Sequence, residues 1–359
     1  MTDQSEPIDF EQMMRNLERS GRERRQIEAR RPSAEAIGTL LAQVIPITSN
    51  LFDAHRRLRF ASEGKDPDQE YGIRAAPGSY AETDREWLAQ QVSFDVPLDR
   101  EGQPVNYRAH PLVDPVQCSL DFVQRFVRAT MDHLESLAHL VRDDVGFRST
   151  AVLSRAALEA CAAACWLTSS EVSSAERVRR LWNLQLELLT EDIRRNPNDT
   201  DDARSERDAI LTAAEGAGFG VASVSRNERV RMPKVLAADG KARTDTSVMI
   251  EAILTVDLGR SMWHGLSDVA HSKSSGLMYL DEVSSRDRQI PAMRTESIAF
   301  HAMPALLAFA SLGDHLEQYL GWDELSWTDV LDKVIAHWHA AYGGADDVIR
   351  QRLGLPPQS

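Results

Sequence analysis

Cysteine is scarce in this chain: only Cys118, Cys161 and Cys165 occur among 359 residues. An odd number, with two of the three one helical turn apart, indicates reduced thiols in a cytoplasmic protein rather than a disulfide framework. Cys161 and Cys165 lack metal-ligand spacing and have no histidine nearby in sequence. We therefore expect them to fill the core, where a free cysteine behaves as a small apolar side chain.

Long apolar runs are missing as well, since no run approaches the ~20 residues that span a bilayer. The first ten residues, MTDQSEPIDF, are acidic and polar, so we expect no signal peptide. These absences favour a cytoplasmic protein without a membrane partner.

Positive charge is also in deficit, because the net charge is −14. That argues against a protein held to nucleic acid by bulk charge and leaves only a local basic patch. The apolar fraction of 42% and the charged fraction of 27% are those of an ordinary globular protein.

The chain divides into three parts. Residues 1–114 hold a charged arm, a helix and an irregular extension rich in Pro and Gly, residues 115–342 a helical bundle domain, and residues 343–359 a loose tail. Seven arginines and no lysine fall between Arg15 and Arg31. This arm is interpreted either as a solvated, partly helical segment or as one that binds a partner or RNA.

The stretch Ser149–Leu167, STAVLSRAALEACAAACWL, predicts the central helix of the bundle. It is rich in alanine and leucine, contains no Gly or Pro, and is apolar on almost every side. Arg155 and Glu159 are its one charged spot.

The fold class predicted is all-α: a multi-helix bundle with a charged N-terminal helical arm and a long irregular connection. Asp114-Pro115 and the capping box Ser173/Glu176 mark two helix starts. Pro46 is expected to kink or break the first helix. Residues 218–244 predict either a short strand pair or only a loop. Further helices are expected over residues 33–60, 83–91, 115–141, 174–195, 201–215, 247–255, 257–271, 292–320 and 326–342.

The most informative stretch for chemistry is RSMWHGLSDVAHS, residues 260–272. At ~100° per residue, one face of this helix carries a set of polar side chains and the other an apolar set. Two imidazoles with a carboxylate between them are suited to proton transfer. The alternative is a solvent-facing polar side without a function. The polar face carries Arg260, His264, Ser267, Asp268 and His271, and the apolar face carries Leu258, Met262, Leu266 and Val269.

A metal site is the weaker interpretation, because the chain has no HExxH, no Glu-x-x-His and no His-x3-His pattern. Asp268 with His271 makes half a site, and Glu135 with His139 would have to supply two further ligands. We expect neither a metal nor another cofactor.

Two charged groups are candidate ligand-binding sites. Arg155 and Glu159 are four residues apart and cannot stay unpaired in an apolar helix, so they should meet polar groups of another helix or form a structural ion pair. Arg177, Arg179 and Arg180 start a helix, where an anion would find guanidinium groups and a helix N-terminus. The alternative for this second group is a solvated face.

These residues resemble a group of uncharacterised all-helical actinobacterial proteins over residues 117–320. The shared features are RAALEACAAACWL, ERVRRLW and WHGLSDVAHS: an Arg-x3-Glu helix ending in Trp-Leu, an Arg-rich helix and a Leu-Ser-x-x-x-His element. The resemblance implies an all-helical fold and no particular activity.

The arrangement is also similar, more loosely, to HEPN domains, helical bundles that often act as metal-independent ribonucleases. Their motif places four to six residues between an Arg and a His. Arg128 with His133 and Arg294 with His301 meet that spacing, whereas Arg260 and His264 are separated by only three residues.

Three functions follow as hypotheses. The first is a helical module that binds a protein or small ligand, and a homodimer is left open. The second is a HEPN-like ribonuclease or nucleotide-binding protein in stress or phage defence, with His264 or His271 as acid or base and Arg260 stabilising phosphorane charge. The third is a metal-dependent bundle enzyme.

Overall fold

The computed structural model of the chain describes residues 34–66, 73–91, 111–143, 147–198, 200–227, 230–237, 240, 246–254, 256–271, 273, 291–322 and 327–342. Over these ranges the chain forms ten helices and one pair of strands, so the all-α multi-helix fold is confirmed. In chain order the elements are α1 Ala34–Ser62, α2 Tyr80–Gln91, α3 Pro115–Arg142, α4 Phe147–Thr168, α5 Ser174–Arg195, α6 Asp201–Gly216, β1 Val221–Asn227, β2 Val230–Val235, α7 Thr246–Ile253, α8 Val256–Ala270, α9 Pro291–Leu320 and α10 Trp327–Tyr342.

Helix α4 lies at the centre of the bundle, as the sequence predicts. It packs most extensively against α3 and α9 and also contacts α5, α7 and α8. Its alanine and cysteine side chains allow these neighbours to approach closely, and Leu158, Cys161 and Ala164 are fully buried. The central position of the alanine-rich stretch is therefore confirmed.

Helix α4 is also long and apolar enough to cross a membrane, by length and composition alone, over Ser149–Thr168. That corrects the expectation that no stretch approaches this length, because a mean over the span absorbs its few polar residues. A core helix passes the same test, and 61% of this span is buried within the fold.

Two predicted helix starts are present, with one difference. The backbone N–H of Gln117 donates to Asp114 Oδ1 over 2.8 Å, so Asp114 caps α3. The backbone N–H of Glu176 donates to Ser173 Oγ over 3.3 Å, which caps α5. The Glu176 carboxylate does not complete the capping box, because it binds Arg179 and Arg180 instead.

Helix α1 belongs to the same apolar cluster as α3, α4 and α9, through residues such as Leu41, Val44 and Phe52. Pro46 lies inside α1 without breaking it. Gly38 sits where α1 crosses the end of α3: a Cβ atom added there would lie 2.3 Å from the backbone nitrogen of Arg142. This crossing requires glycine.

A second, smaller apolar cluster joins α5, α6 and Leu88 of α2 to the hairpin. Strands β1 and β2 are antiparallel, with Val221 opposite Val235, so the strand-pair alternative is the correct one for this stretch. The side chain of Asn183 on α5 both donates to and accepts from the backbone of Val235, each over 2.8 Å. These two bonds fix the hairpin to α5.

Some expectations lie outside the described residues. They concern the arginine-rich arm at residues 1–33, the parts of the irregular extension at residues 67–72 and 92–110, and the tail at residues 343–359.

Candidate functional site

Helix α8 presents the apolar face that its sequence predicts. Met262, Leu266 and Val269 are buried, and the side chain of Leu258, the fourth residue of that face, lies outside the described residues. His264 is exposed, and so is His271, whose backbone N–H donates to the Ser267 carbonyl over 2.9 Å just past the helix end. Both imidazoles are accessible from solvent.

The other described members of the predicted polar face, Ser267 and Asp268, are engaged within the fold. Ser267 is only 6% exposed, and it lies one turn after Trp263, on the stripe turned toward α4. Asp268 forms an ion pair of 2.7 Å with Nζ of Lys273. The side chain of Arg260 lies outside the described residues.

The charged spot of α4 meets α8 through a tryptophan. Arg155 Nε donates to Glu159 Oε1 over 2.8 Å, and Trp263 Nε1 donates to the same oxygen over 3.0 Å. The Arg155 guanidinium carbon lies 5.7 Å from the centre of the Trp263 ring. The pair therefore does contact another helix, through Trp263 rather than through a histidine.

His264 extends this arrangement toward solvent. Its ring centre lies 5.0 Å from that of Trp263, and the two planes are inclined by 57°. We call Arg155, Glu159, Trp263 and His264 the α4–α8 site.

The α4–α8 site keeps polar groups available. Arg155 is 16% exposed and Glu159 is 34% exposed. Among the residues that the structure describes, none forms a hydrogen bond with the Nη1 or Nη2 atom of Arg155 or with Glu159 Oε2. Four N–H donors and one carboxylate oxygen are thus left for solvent or a ligand.

Trp263 is the residue of this site that sequence reasoning missed. A tryptophan at the border of an apolar helix face needs an acceptor for its indole N–H. Glu159 is the only acidic residue of α4. Together, these two facts could have predicted from the sequence that Trp263 pairs with Glu159.

Arg177 and Arg179 at the start of α5 are buried and Arg180 is only 13% exposed, so the solvated-face interpretation is wrong for these three arginines. Arg177 is 4% exposed and Asp84 is 1% exposed. Arg177 Nε and Nη2 donate to the two oxygens of Asp84 over 2.7 and 2.6 Å, and Nη1 donates to the carbonyls of Ser169 and Val172. The Tyr319 hydroxyl donates to Asp84 Oδ2 over 2.8 Å. We call Asp84, Arg177 and Tyr319 the Asp84 cluster.

The electrostatics of the Asp84 cluster favour the ion pair. Burial by itself would lower the pKa of Arg177, but the hydrogen bonds and charge of Asp84 raise it above its ordinary value. Burial, together with the adjacent negative charge of Asp84, raises the pKa of Tyr319 well above its ordinary value. The arginine stays charged and the tyrosine stays protonated.

Arg179 and Arg180 share one carboxylate. Arg179 donates to both oxygens of Glu176 over 2.7 Å and to the carbonyl of Val235 over 2.9 Å. Arg180 donates to Glu176 over 3.0 Å and to the carbonyl of Trp166 over 2.6 Å. These contacts link α5 to β2 and to the end of α4, so both side chains are engaged in structure.

The buried thiols and one buried histidine are unsuited to acid–base or nucleophilic work. Burial raises the pKa of Cys118 and of Cys161 to about 12, and that of Cys165 well above its ordinary value. All three thiols are free and buried, as core-filling residues should be. Burial lowers the pKa of His301 to about 4, and its Nδ1 lies 3.1 Å from Thr150 Oγ1.

The residues of the Arg–His pairs with HEPN spacing differ in exposure. Arg128 is exposed, His133 is half-buried and His301 is buried in the core, while the side chain of Arg294 lies outside the described residues. Over the same described ranges, no group of three or more His, Cys, Asp or Glu residues lies close enough together to hold a metal ion.

No family model, curated protein or solved structure matches this chain. The resemblances to the actinobacterial group and to HEPN domains stay predictions. The geometry of the α4–α8 site is therefore the basis for assigning a function.

Proposed function

We propose that this protein is a cytoplasmic helical module that binds its ligand at the α4–α8 site. The observation that supports this function is the state of Arg155. Its Nε is fixed by Glu159 and its plane lies near Trp263, while its Nη1 and Nη2 atoms form no hydrogen bond to a described residue. A guanidinium held in place with a free edge is pre-organised for binding, because little side-chain freedom is lost when a ligand arrives.

The other charged cluster does not offer this opportunity. All three nitrogens of the Arg177 guanidinium already donate to protein oxygens, and both oxygens of Asp84 accept. A ligand would have to break these bonds and replace them inside the core. The Asp84 cluster therefore supports the fold, and the α4–α8 site supports binding.

A thermal-shift screen of the full chain tests the proposal. Small acids, amines, nucleotides and short peptides would be added to the wild-type protein, and each hit would be repeated on Arg155→Lys. The matched control is Arg194→Lys, because Arg194 is 61% exposed and pairs with Glu191 on α5, away from the site.

We expect at least one hit whose stabilisation is lost in Arg155→Lys and kept in Arg194→Lys, since a lysine cannot reproduce the planar fork. Hits that do not respond to Arg155→Lys would overturn the proposal. RNA cleavage without divalent metal, lost in His264→Ala, would replace it with the ribonuclease alternative.

A further inference from the structure

We propose that the ligand of the α4–α8 site is a small amino-carboxylate with a flat or apolar side chain, of the chemical class of the amino acids. This inference rests on the proposed function and names the substrate class of the same site. Four features carry it: the free edge of Arg155, the free oxygen of Glu159, the charge balance and the aromatic wall.

The free edge of Arg155 selects an oxyanion. Glu159 Oε1 occupies the Nε side of the guanidinium over 2.8 Å. The remaining edge has one N–H on each terminal nitrogen pointing the same way, which matches two oxygens of one carboxylate in a bidentate pair.

The free oxygen of Glu159 selects a donor next to that oxyanion. Oε1 already accepts from Arg155 and from Trp263, whereas Oε2 accepts from no described residue. Glu159 binds the guanidinium group that carries the free edge, so a donor one carbon away from a bound carboxylate can extend from that edge toward Oε2. An ammonium group there would form a charge-assisted hydrogen bond with Oε2.

The charge balance favours a zwitterion over a phosphate. Arg155 and Glu159 cancel each other, and the chain as a whole carries a net charge of −14. A phosphate dianion would place excess negative charge beside the Glu159 carboxylate and would be repelled by the overall field. A carboxylate with an adjacent ammonium adds no net charge and satisfies both residues.

The aromatic wall gives the side chain of the ligand a place. The Trp263 and His264 rings are 5.0 Å apart and inclined by 57°, and His264 is exposed. Two rings in contact at this inclination offer a joint aromatic surface, against which a flat or apolar group of the ligand can pack.

Titration of the full-length protein with three related probes tests the inference. L-phenylalanine carries both polar groups, 3-phenylpropanoate lacks the ammonium and 2-phenylethylamine lacks the carboxylate. We expect each truncated probe to bind about tenfold more weakly than phenylalanine, since it leaves one half of the site unpaired. Inorganic phosphate serves as the fourth probe and is expected not to compete.

Two variants assign the halves of the site. Glu159→Gln should reduce the preference for phenylalanine over 3-phenylpropanoate to less than about threefold, because a neutral amide is a weaker acceptor for the ammonium. Arg155→Lys should reduce the preference for phenylalanine over 2-phenylethylamine in the same way. Arg194→Lys is the control and should keep both preferences.

The outcomes separate this inference from the proposed function. Equal binding of the three probes, competition by phosphate, or no binding of any probe would overturn the amino-carboxylate class. If the thermal-shift screen then still finds a hit that requires Arg155, the site stands with another ligand class. If no hit requires Arg155, both proposals fail.

Discussion

The Asp84 cluster and the α4–α8 site are made of the same parts: one arginine, one carboxylate and one aromatic donor. In both, the aromatic side chain donates to a carboxylate oxygen, Tyr319 to Asp84 over 2.8 Å and Trp263 to Glu159 over 3.0 Å. They differ in how many hydrogen-bonding groups remain without a partner among the described residues. In hydrogen bonds to described residues, Arg177 uses every guanidinium nitrogen and Arg155 uses only one.

Burial follows the same division. Arg177 and Asp84 are 4% and 1% exposed, whereas Arg155 and Glu159 are 16% and 34% exposed. A buried ion pair persists only when its hydrogen-bonding groups are satisfied, so the closed cluster is built for structure. Both places contain an arginine, a carboxylate and an aromatic donor, so residue types do not tell a structural ion pair from a binding site. The number of arginine N–H groups that form no hydrogen bond to a described residue does.

The largest expected effect comes from breaking the closed cluster. Arg177→Met should lower the free energy of unfolding by about 3–5 kcal/mol, because it leaves the Asp84 carboxylate buried without a counter-charge. Arg155→Met, the matched change in the open site, should cost less than about 1 kcal/mol. Urea unfolding of both variants measures the difference, and equal losses would remove the distinction between the two regions.

The pH dependence of stability tests a further buried group, the imidazole of His301. Burial lowers the pKa of His301 to about 4, against about 6.5 in an unfolded chain. Between these values the unfolded state holds a proton that the folded state lacks, so this residue's contribution to stability falls as the pH drops from about 6.5 to about 4. Over that pH range the loss of folding stability due to this residue totals about 3 kcal/mol.

The 55 acidic residues of the chain also titrate in this range, so the measurement has to be a difference. Urea unfolding at several pH values would be compared between the wild type and His301→Gln, which cannot titrate. The wild type should lose more stability than the variant on acidification. Parallel pH profiles would show that the imidazole is hydrated in the folded state.

Helix α4 contains both kinds of surface and allows a smaller test. Ala164 is fully buried and Ala160 is half-buried. Ala164→Leu should overpack the core and cost about 1–3 kcal/mol, whereas Ala160→Leu should cost less than about 1 kcal/mol. Thermal unfolding shows which of the two variants is destabilised more. If Ala160→Leu costs more than Ala164→Leu, the half-buried side of α4 has been assigned incorrectly.

The parts of the fold that were predictable from sequence are local. Asp114 and Ser173 predicted where their helices begin, because a capping side chain acts within one helical turn. The apolar composition of α4 required burial, and the bundle provides it. Pro46 was expected to kink or break α1, and α1 continues through it without a break, in contact with α3 and α10.

The site could be predicted only in part, because its decisive contacts join distant segments. The spacing of Arg155 and Glu159 predicted their contact, but Trp263 is 104 residues from Glu159. Asp84 is 93 residues from Arg177 and belongs to a region expected to be mostly irregular, so the sequence offered no reason to pair them. Without that partner, the α5 arginines were interpreted as a solvated face.

The smallest effects on stability are expected at the two exposed histidines, and they separate the site from the rest of α8. His264→Ala and His271→Ala should each change the free energy of unfolding by less than about 0.5 kcal/mol, because neither ring is buried.

Ligand binding should distinguish the two histidine variants. His264→Ala removes one of the two rings of the aromatic wall and should weaken the ligand found in the thermal-shift screen several-fold. His271, two turns away beyond the end of α8, should have no such effect. Thermal unfolding and ligand titration must be measured on the same two proteins. Equal loss of binding in both variants would extend the site along the whole polar side of α8. Unchanged binding in both would restrict it to Arg155, Glu159 and Trp263.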